Sequence, residues 1–389
     1  MTVSTEMSEG RRQKAKEYAR LRRILFFVNT GLGLAILLVM LLTGLSLELR
    51  KVVEGWTGNQ WLVVPIYMAI FGGAYAVLTF PLDVYAGYHL PRKYGMLHQN
   101  FGPWLRDLAK GGLIAVVIGL VLIEALYFGF RNLGDWWWLI GGIFYLFFVI
   151  VMVNLAPVLI MPLFNKFIPL ENEELQNRIM RLGEKTGARV KGVYTMDFSR
   201  RTNAANAFVT GIGNTRRVVL GDTLTQNYTP DEIEVIMAHE LGHHVHGDIW
   251  RGIALDSVVT LLGFYIANLV LQAGISGFGF RNTGDVAAFP LFVLVMAAFS
   301  LVTMPLNNAF SRARENAADA YALDITKDAS SFISSMKKLA NQNLADTDPP
   351  RWVVWLFYTH PPIADRVRRG ENFIARGNPY SSGGVPAGD

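Results

Sequence analysis

The chain has 389 residues, of which 51% are hydrophobic and only 17% charged, against about 25% charged in an ordinary soluble domain. It has no cysteine, which excludes disulfides and thiolate metal ligands. The net charge of +5 gathers at the ends of long apolar runs, so no nucleic-acid stripe is expected.

Residues 1–23 form a polar, basic tail, expected to be part helical and part disordered. Six apolar runs then reach the roughly 20 residues that a membrane-spanning helix needs. They lie near 24–46, 61–84, 111–130, 136–163, 252–275 and 287–309. The first is too long for a cleaved signal sequence and has no obvious cleavage site. Trp136, Trp137 and Trp138 open the fourth run, as an interfacial aromatic belt would. Arg11, Arg12, Lys14, Lys16, Arg20, Arg22 and Arg23 precede the first run, and Arg92, Lys93, Arg106 and Lys110 follow the second. The connections near Arg131 and Arg281 are poor in charge. The positive-inside rule then places both termini, 165–250 and 311–389 in the cytosol. Glu124, Asn154 and Asp256 are costly in lipid and should face protein or a watery cavity.

The stretch 165–250 changes pattern. Leu175, Ile179 and Leu182 recur at helical spacing, which predicts an amphipathic helix over 171–185. Short β-branched and aromatic runs at 190–196, 206–212 and 216–220 predict a small sheet, with Gly213-Asn214 as a hairpin turn. A helix follows. Thr229 can cap it, Pro230 suits its first position and Glu232 completes a capping box.

That helix carries His239-Glu240-Leu241-Gly242-His243. Histidines four apart on a helix point the same way, so both imidazoles can reach one metal ion. The glutamate between them sits beside the position where a water would bind. This is the arrangement of zinc peptidases. With no thiolates available, a third ligand must be another histidine or a carboxylate. Glu315, in a helix expected to open directly after the sixth span, is the best candidate, against the plainer reading of a solvated helix end. Asp319, one turn later, could accept a hydrogen bond from a ligating histidine. His244 points away from His243 and His246 lies a turn further along; neither is taken as a ligand. Ala317, Ala318, Ala320 and Ala322 form a small-residue face that would let this helix approach the His239/His243 helix. His360, before Pro361-Pro362, and Arg366 could stabilise a developing oxyanion. The segment after 367 is rich in Gly, Pro and Ser and is expected to be disordered.

An ordered series of motifs joins these features. It includes Pro81-Leu82-Asp83-Val84-Tyr85, Lys93-Tyr94-Gly95, Ala156-Pro157 and Pro162-Leu163-Phe164-Asn165-Lys166-Phe167. It continues with Asn206-Ala207-Phe208, the run from Arg217 to Leu224, His239 to His243, Ser311 to Asp319, and His360-Pro361-Pro362 with Arg366. From about 80 to 367 the chain resembles the type I CAAX prenyl proteases, integral-membrane zinc metalloendopeptidases of gluzincin type. The resemblance implies one catalytic Zn2+ held by His239, His243 and Glu315, with Glu240 activating the water. Asp319 would orient a ligand or donate a proton, and His360 and Arg366 would contact the scissile carbonyl. Asn206, Ala207 and Phe208 would lie on the strand that pairs with the substrate. The substrate would be a peptide or protein, prenylated in the family, and the spans would enclose a chamber in the bilayer. Six spans and no lysine-based retrieval signal depart from the eukaryotic pattern and fit a bacterial or archaeal member.

The expected fold is therefore mainly α and multi-pass, with about six membrane helices and a cytosolic α+β zinc-peptidase region. The divisions are a tail at 1–23, spans at 24–164, peptidase segments at 165–250 and 311–367 around spans at 251–310, and a tail at 368–389. A heat-shock-type membrane quality-control protease is the nearest alternative. A transporter predicts discontinuous helices or inverted repeats, which the sequence does not display. A scaffold with structural zinc predicts four protein ligands.

Overall fold

The computed structural model describes residues 6–188, 190–211 and 216–377. Helix α1, Glu9–Leu42, is capped by the Ser8 side chain. Its 34 residues reach roughly 50 Å, well beyond a hydrocarbon core of about 30 Å. The basic segment from Glu9 is thus ordered helix continuous with the first span. The span expected to run to 46 stops at Leu42. Thr43 Oγ1 bonds back to the Val39 carbonyl, and Gly44 takes φ 72°, a conformation cheap only without a Cβ. The chain then turns into a short amphipathic helix, α2, Leu45–Trp56.

Helix α3, Gln60–Val84, continues through a π-helical turn, Tyr85–His89, into α4, Leu90–Lys93. Next come α5, Phe101–Asn132, and α6, Trp137–Leu155, which passes through a second π-helical turn, Ala156–Ile160, into α7, Met161–Phe164. Of the three tryptophans, Trp136 is exposed, but Trp137 is buried and donates to Asn268 Oδ1 at 2.7 Å. Trp137 therefore belongs to the core and not to an interfacial belt.

Strand β1, Phe167–Pro169, was not foreseen, being too short to show a pattern. It leads to α8, Glu173–Lys185, which buries Leu175, Ile179 and Leu182 as expected. Strands β2, Gly192–Met196, β3, Ala207–Thr210, and β4, Arg217–Gly221, complete a sheet of order β1-β2-β4-β3. β3 pairs antiparallel with β4, in the register Ala207↔Leu220 and Phe208↔Val219. The expected turn at Gly213-Asn214 lies outside the described residues.

After α9, Asp222–Asn227, and α10, Pro230–Val245, come the long helices α11, Asp248–Phe278, and α12, Phe289–Thr326. The chain closes with α13, Ala329–Gln342, α14, Arg351–Phe357, and α15, Ile363–Ala375. Two expectations change here. Helix α12 is continuous from the span into the peptidase region, so Glu315 sits inside a 38-residue helix and not at the start of a new one. And α15 orders 368–375, which the composition had assigned to a disordered tail; residues 378–389 lie outside the described set.

Among the described residues six helices are long and apolar enough to cross a membrane. Their principal contacts run α1, α3, α5, α6, α11, α12 and back to α1. One end of the ring is filled by an apolar cluster that includes Tyr67, Phe130, Trp137, Phe264 and Leu291. Arg50 and Asp285 form a buried ion pair at that end. At the other end a second core unites the sheet with α8, α10 and α13. The start of α1 packs there too, through Met7, Ala15 and Tyr18 against Leu90, Ala340 and Leu344.

Candidate metal centre

Helix α10 is fixed at its start. Thr229 Oγ1 accepts from the Glu232 N–H and Glu232 Oε2 accepts from the Thr229 N–H, the full capping box. Glu232 is itself buried against Lys338 and Ser334 of α13. The helix then passes close to α12. A Cβ on Gly242 would lie 3.4 Å from Ala318 Cα and 3.1 Å from the Tyr321 ring. Of the expected small-residue face, Ala318 and Ala322 are fully buried, whereas Ala317 and Ala320 are only partly so.

This approach brings His239, His243 and Glu315 together, with one potential ligand atom from each within 4.8 Å of the others. His239 Nε2 is 3.2 Å from Glu315 Oε2, and His243 Nε2 is 3.4 Å from Glu315 Oε1. The far nitrogens are both held by carboxylates: His239 Nδ1 by Asp319 at 2.9 Å and His243 Nδ1 by Asp248 at 2.8 Å. With Nδ1 donating, each Nε2 is left as a lone-pair donor facing the same point. Glu315 Oε2 is buried and accepts no well-directed hydrogen bond. An orphaned carboxylate oxygen beside two imidazole lone pairs fits a cation, and three donors leave a fourth position for chemistry.

Glu240 lines a cavity of about 650 Å³ together with His239, His360, Arg366 and the segment 205–207. Burial raises its proton affinity, partly offset by the two histidines. His360 Nε2 is 3.3 Å from Glu315 Oε1 and its side chain is 58% exposed. Arg366 borders the same cavity and is also tied to Asp319. Its Nε and Nη2 donate to the two oxygens of Asp319 at 2.9 and 2.5 Å. Asp319 is fully buried and is shared between that fork and His239. His246 packs its ring edge-on to Tyr321 and is not part of the donor group.

Asp248 was missed by the sequence reading. It follows Gly247, whose φ of 66° ends α10 and starts α11; a glycine-aspartate pair just after the second histidine was the available signal. Strand β3 is at the edge of the sheet. The Gly221 N–H bonds the Asn206 carbonyl, so Asn206 and Phe208 point their backbone groups at β4. By antiparallel alternation Ala207 and Val209 turn theirs outward. Asn206 and Ala207 border the cavity that holds Glu240.

The family described as peptidase family M48 matches residues 169–373, more than half of the chain. The chain belongs to this family. Residues 2–166 match a second family model, described as the CAAX prenyl protease N-terminal region with five membrane helices. The relatives of this M48 peptidase include an uncharacterized metalloprotease, YhfN, of Bacillus subtilis (strain 168). It is 30% identical over 361 residues, covering 92% of this chain and 84% of that one. CAAX prenyl protease 1 of Saccharomyces cerevisiae is 29% identical, covering 77% and 70% of the two chains. The Arabidopsis thaliana homolog is also 29% identical, covering 75% and 69%. In fold the chain is similar to the crystal structure of S. mikatae Ste24p, with a TM-score of 0.83 at 22% identity over 94% of this chain and 90% of that one. This M48 peptidase is a membrane metalloendopeptidase, and its family implies a metal ion.

Proposed function

We propose that the metal is a single Zn2+ held by His239, His243 and Glu315. The observation that carries this is the convergence of two carboxylate-oriented imidazoles on an orphaned Glu315 oxygen. Two nitrogens and one oxygen with no thiolate is a catalytic zinc set. The ion, when bound, supplies Lewis acidity toward a water and a carbonyl. Glu240 takes the proton from the attacking water and passes it to the leaving amine. His360, beside the donor group and open to the cavity, donates to the carbonyl oxygen as charge develops there. Asp319, saturated by Arg366 and His239, orients the ligand instead of donating a proton, and Arg366 is a positioning residue that holds Asp319. The substrate adds a strand to the outward edge of β3 at Ala207.

The substrate class we propose is a prenylated peptide or protein tail, the class that the names of the yeast and plant relatives print. A farnesylated peptide and its unlipidated twin, given to the purified protein with and without a chelator, test this. Chelator-sensitive cleavage favouring the farnesylated peptide is expected. Equal rates for the twins would remove the prenyl reading, and chelator-resistant cleavage would remove the metal. In the same assay Ala207→Pro should slow cleavage several-fold to about tenfold, the value of one backbone hydrogen bond. An outward N–H on an edge strand is where proline is tolerated, so metal content should hold. A wild-type rate in this variant would show that β3 does not pair with substrate.

We also propose that the metal end of the ring faces the cytosol. Basic residues of α1 and of the segment after α3 lie at that end. A reporter fused after Lys191 should be cytosolic and one near Arg281 external. Finding both on one side would overturn this orientation.

A further inference from the structure

We propose that Arg22 and Arg23 form an anion site in the cleavage cleft that takes the free C-terminal carboxylate of the peptide. The enzyme would then measure its cut from the end of the chain. This rests on the peptide-cleaving reading of the metal centre.

The first turns of α1 are built into the peptidase end. Arg11 donates to the Asn341 carbonyl at 3.0 and 2.6 Å, and Ala15 and Tyr18 are buried against Leu90, Ala340 and Leu344. The backbone from which Arg22 and Arg23 project is therefore held at that end. Tyr18, Ala19, Arg22, Arg23 and Phe26, one face of the next two turns, border the same cavity as His239, Glu240 and Ala207.

Three cations border that cavity. Arg366 is committed to Asp319. Arg22 and Arg23 make no ion pair with any described residue; Arg22 lies over the Tyr18 ring, 5.7 Å from its centroid. Of the acids on the cavity wall, Glu240 is at the metal centre. Asp346 accepts from the Asp348 N–H and pairs with neither arginine, but its charge reaches Tyr358 as theirs do, so it offsets part of the two positive charges. Two neighbouring guanidiniums in a partly enclosed cleft repel each other and gain from an anion. Their planar forks match a carboxylate. A peptide that pairs with β3 beside Glu240 enters a cavity that α1 also borders, so its terminus is the anion such a substrate brings. The competing occupant is a phospholipid headgroup, because the apolar part of α1 begins at Ile24.

The test uses the full-length protein in uncharged detergent and two fluorogenic peptides that differ only in a free acid or an amide at the C-terminus. Wild type should prefer the acid by about tenfold or more, expressed in KM more than in kcat. In Arg22→Gln/Arg23→Gln the acid-to-amide ratio should fall to near one, and Arg22→Lys/Arg23→Lys should recover part of it. Binding of the same two peptides to Glu240→Gln, read by anisotropy, should show the same preference without turnover. That arm separates the two readings: peptides that bind with acid preference but are never cut would sink the proteolytic assignment and leave the anion site standing. The anion site is overturned by a wild-type protein indifferent to the terminus, or by a glutamine variant that keeps the preference. It is also overturned if the glutamine variant loses acid and amide equally, as a packing role predicts. A defect that appears only in vesicles containing anionic lipid, with the peptide ratio unchanged, assigns the arginines to headgroups instead.

Discussion

Glu240→Gln is expected to retain the metal and to lose cleavage by on the order of 10²- to 10⁴-fold, the usual worth of a positioned general base. Glutamine keeps the size of the side chain and its place on α10 between the two histidines, but it has no lone pair basic enough to take a proton from water. The substitution leaves every contact of the donor group in place, since His239 and His243 are oriented by Asp319 and Asp248 and not by Glu240. Metal content measured on the purified variant should therefore match wild type. A full complement of metal with a near-wild-type rate would show that another group is the base, and His360 would be examined next.

Much of this centre could be read from the chain because it is local. The capping box, the proline and the two histidines lie within 15 residues of one helix, and helical geometry alone places both imidazoles on one side. Glu315 was legible only by its order after the sixth apolar run, and its setting was misjudged. The end of an apolar run looks like the end of a helix, but nothing between Asn307 and Thr326 breaks the hydrogen-bond ladder, and Pro305 is absorbed within it. The pairing of Arg366 with Asp319 links positions 47 apart and leaves no local pattern. Without it, an arginine near a catalytic cleft reads as a substrate-binding group; with it, Arg366 becomes the partner that makes a fully buried Asp319 tolerable. The edge position of β3 was expected only through the resemblance, which put Asn206, Ala207 and Phe208 on a substrate-pairing strand; the residue pattern alone did not carry it. Three strand-like runs do not disclose that β2 pairs with β4 in parallel and leaves β3 outermost.

Glu315→Ala is expected to lose metal affinity far more than changes at Asp319. The first removes one of three donors. The second removes a partner of a donor, a change that typically costs about 10- to 100-fold. Asp319 needs a careful choice of replacement. Alanine there would strand the Arg366 guanidinium, buried with no acceptor, and breaking a buried pair in this way costs about 3–5 kcal/mol of stability. Loss of metal in Asp319→Ala would then mix unfolding with lost orientation. Asp319→Asn keeps an oxygen for either Arg366 or His239 and leaves α12 against α10 through Ala318 and Ala322. Competitive titration with a chromophoric chelator gives the affinities, and thermal unfolding of the metal-free proteins gives the stabilities. The expected order of affinity is wild type, then Asp319→Asn, then Glu315→Ala, with Glu315→Ala more than about 100-fold weaker than wild type. Glu315 also faces Nε2 of His239, His243 and His360 at 3.2, 3.4 and 3.3 Å, so the metal-free variant should lose some stability, and the unfolding curves show whether it is still folded where affinity is measured. Equal affinity in Glu315→Ala and wild type would put the third donor elsewhere. His246 would be the first residue to test, and its ring would have to leave Tyr321 to serve.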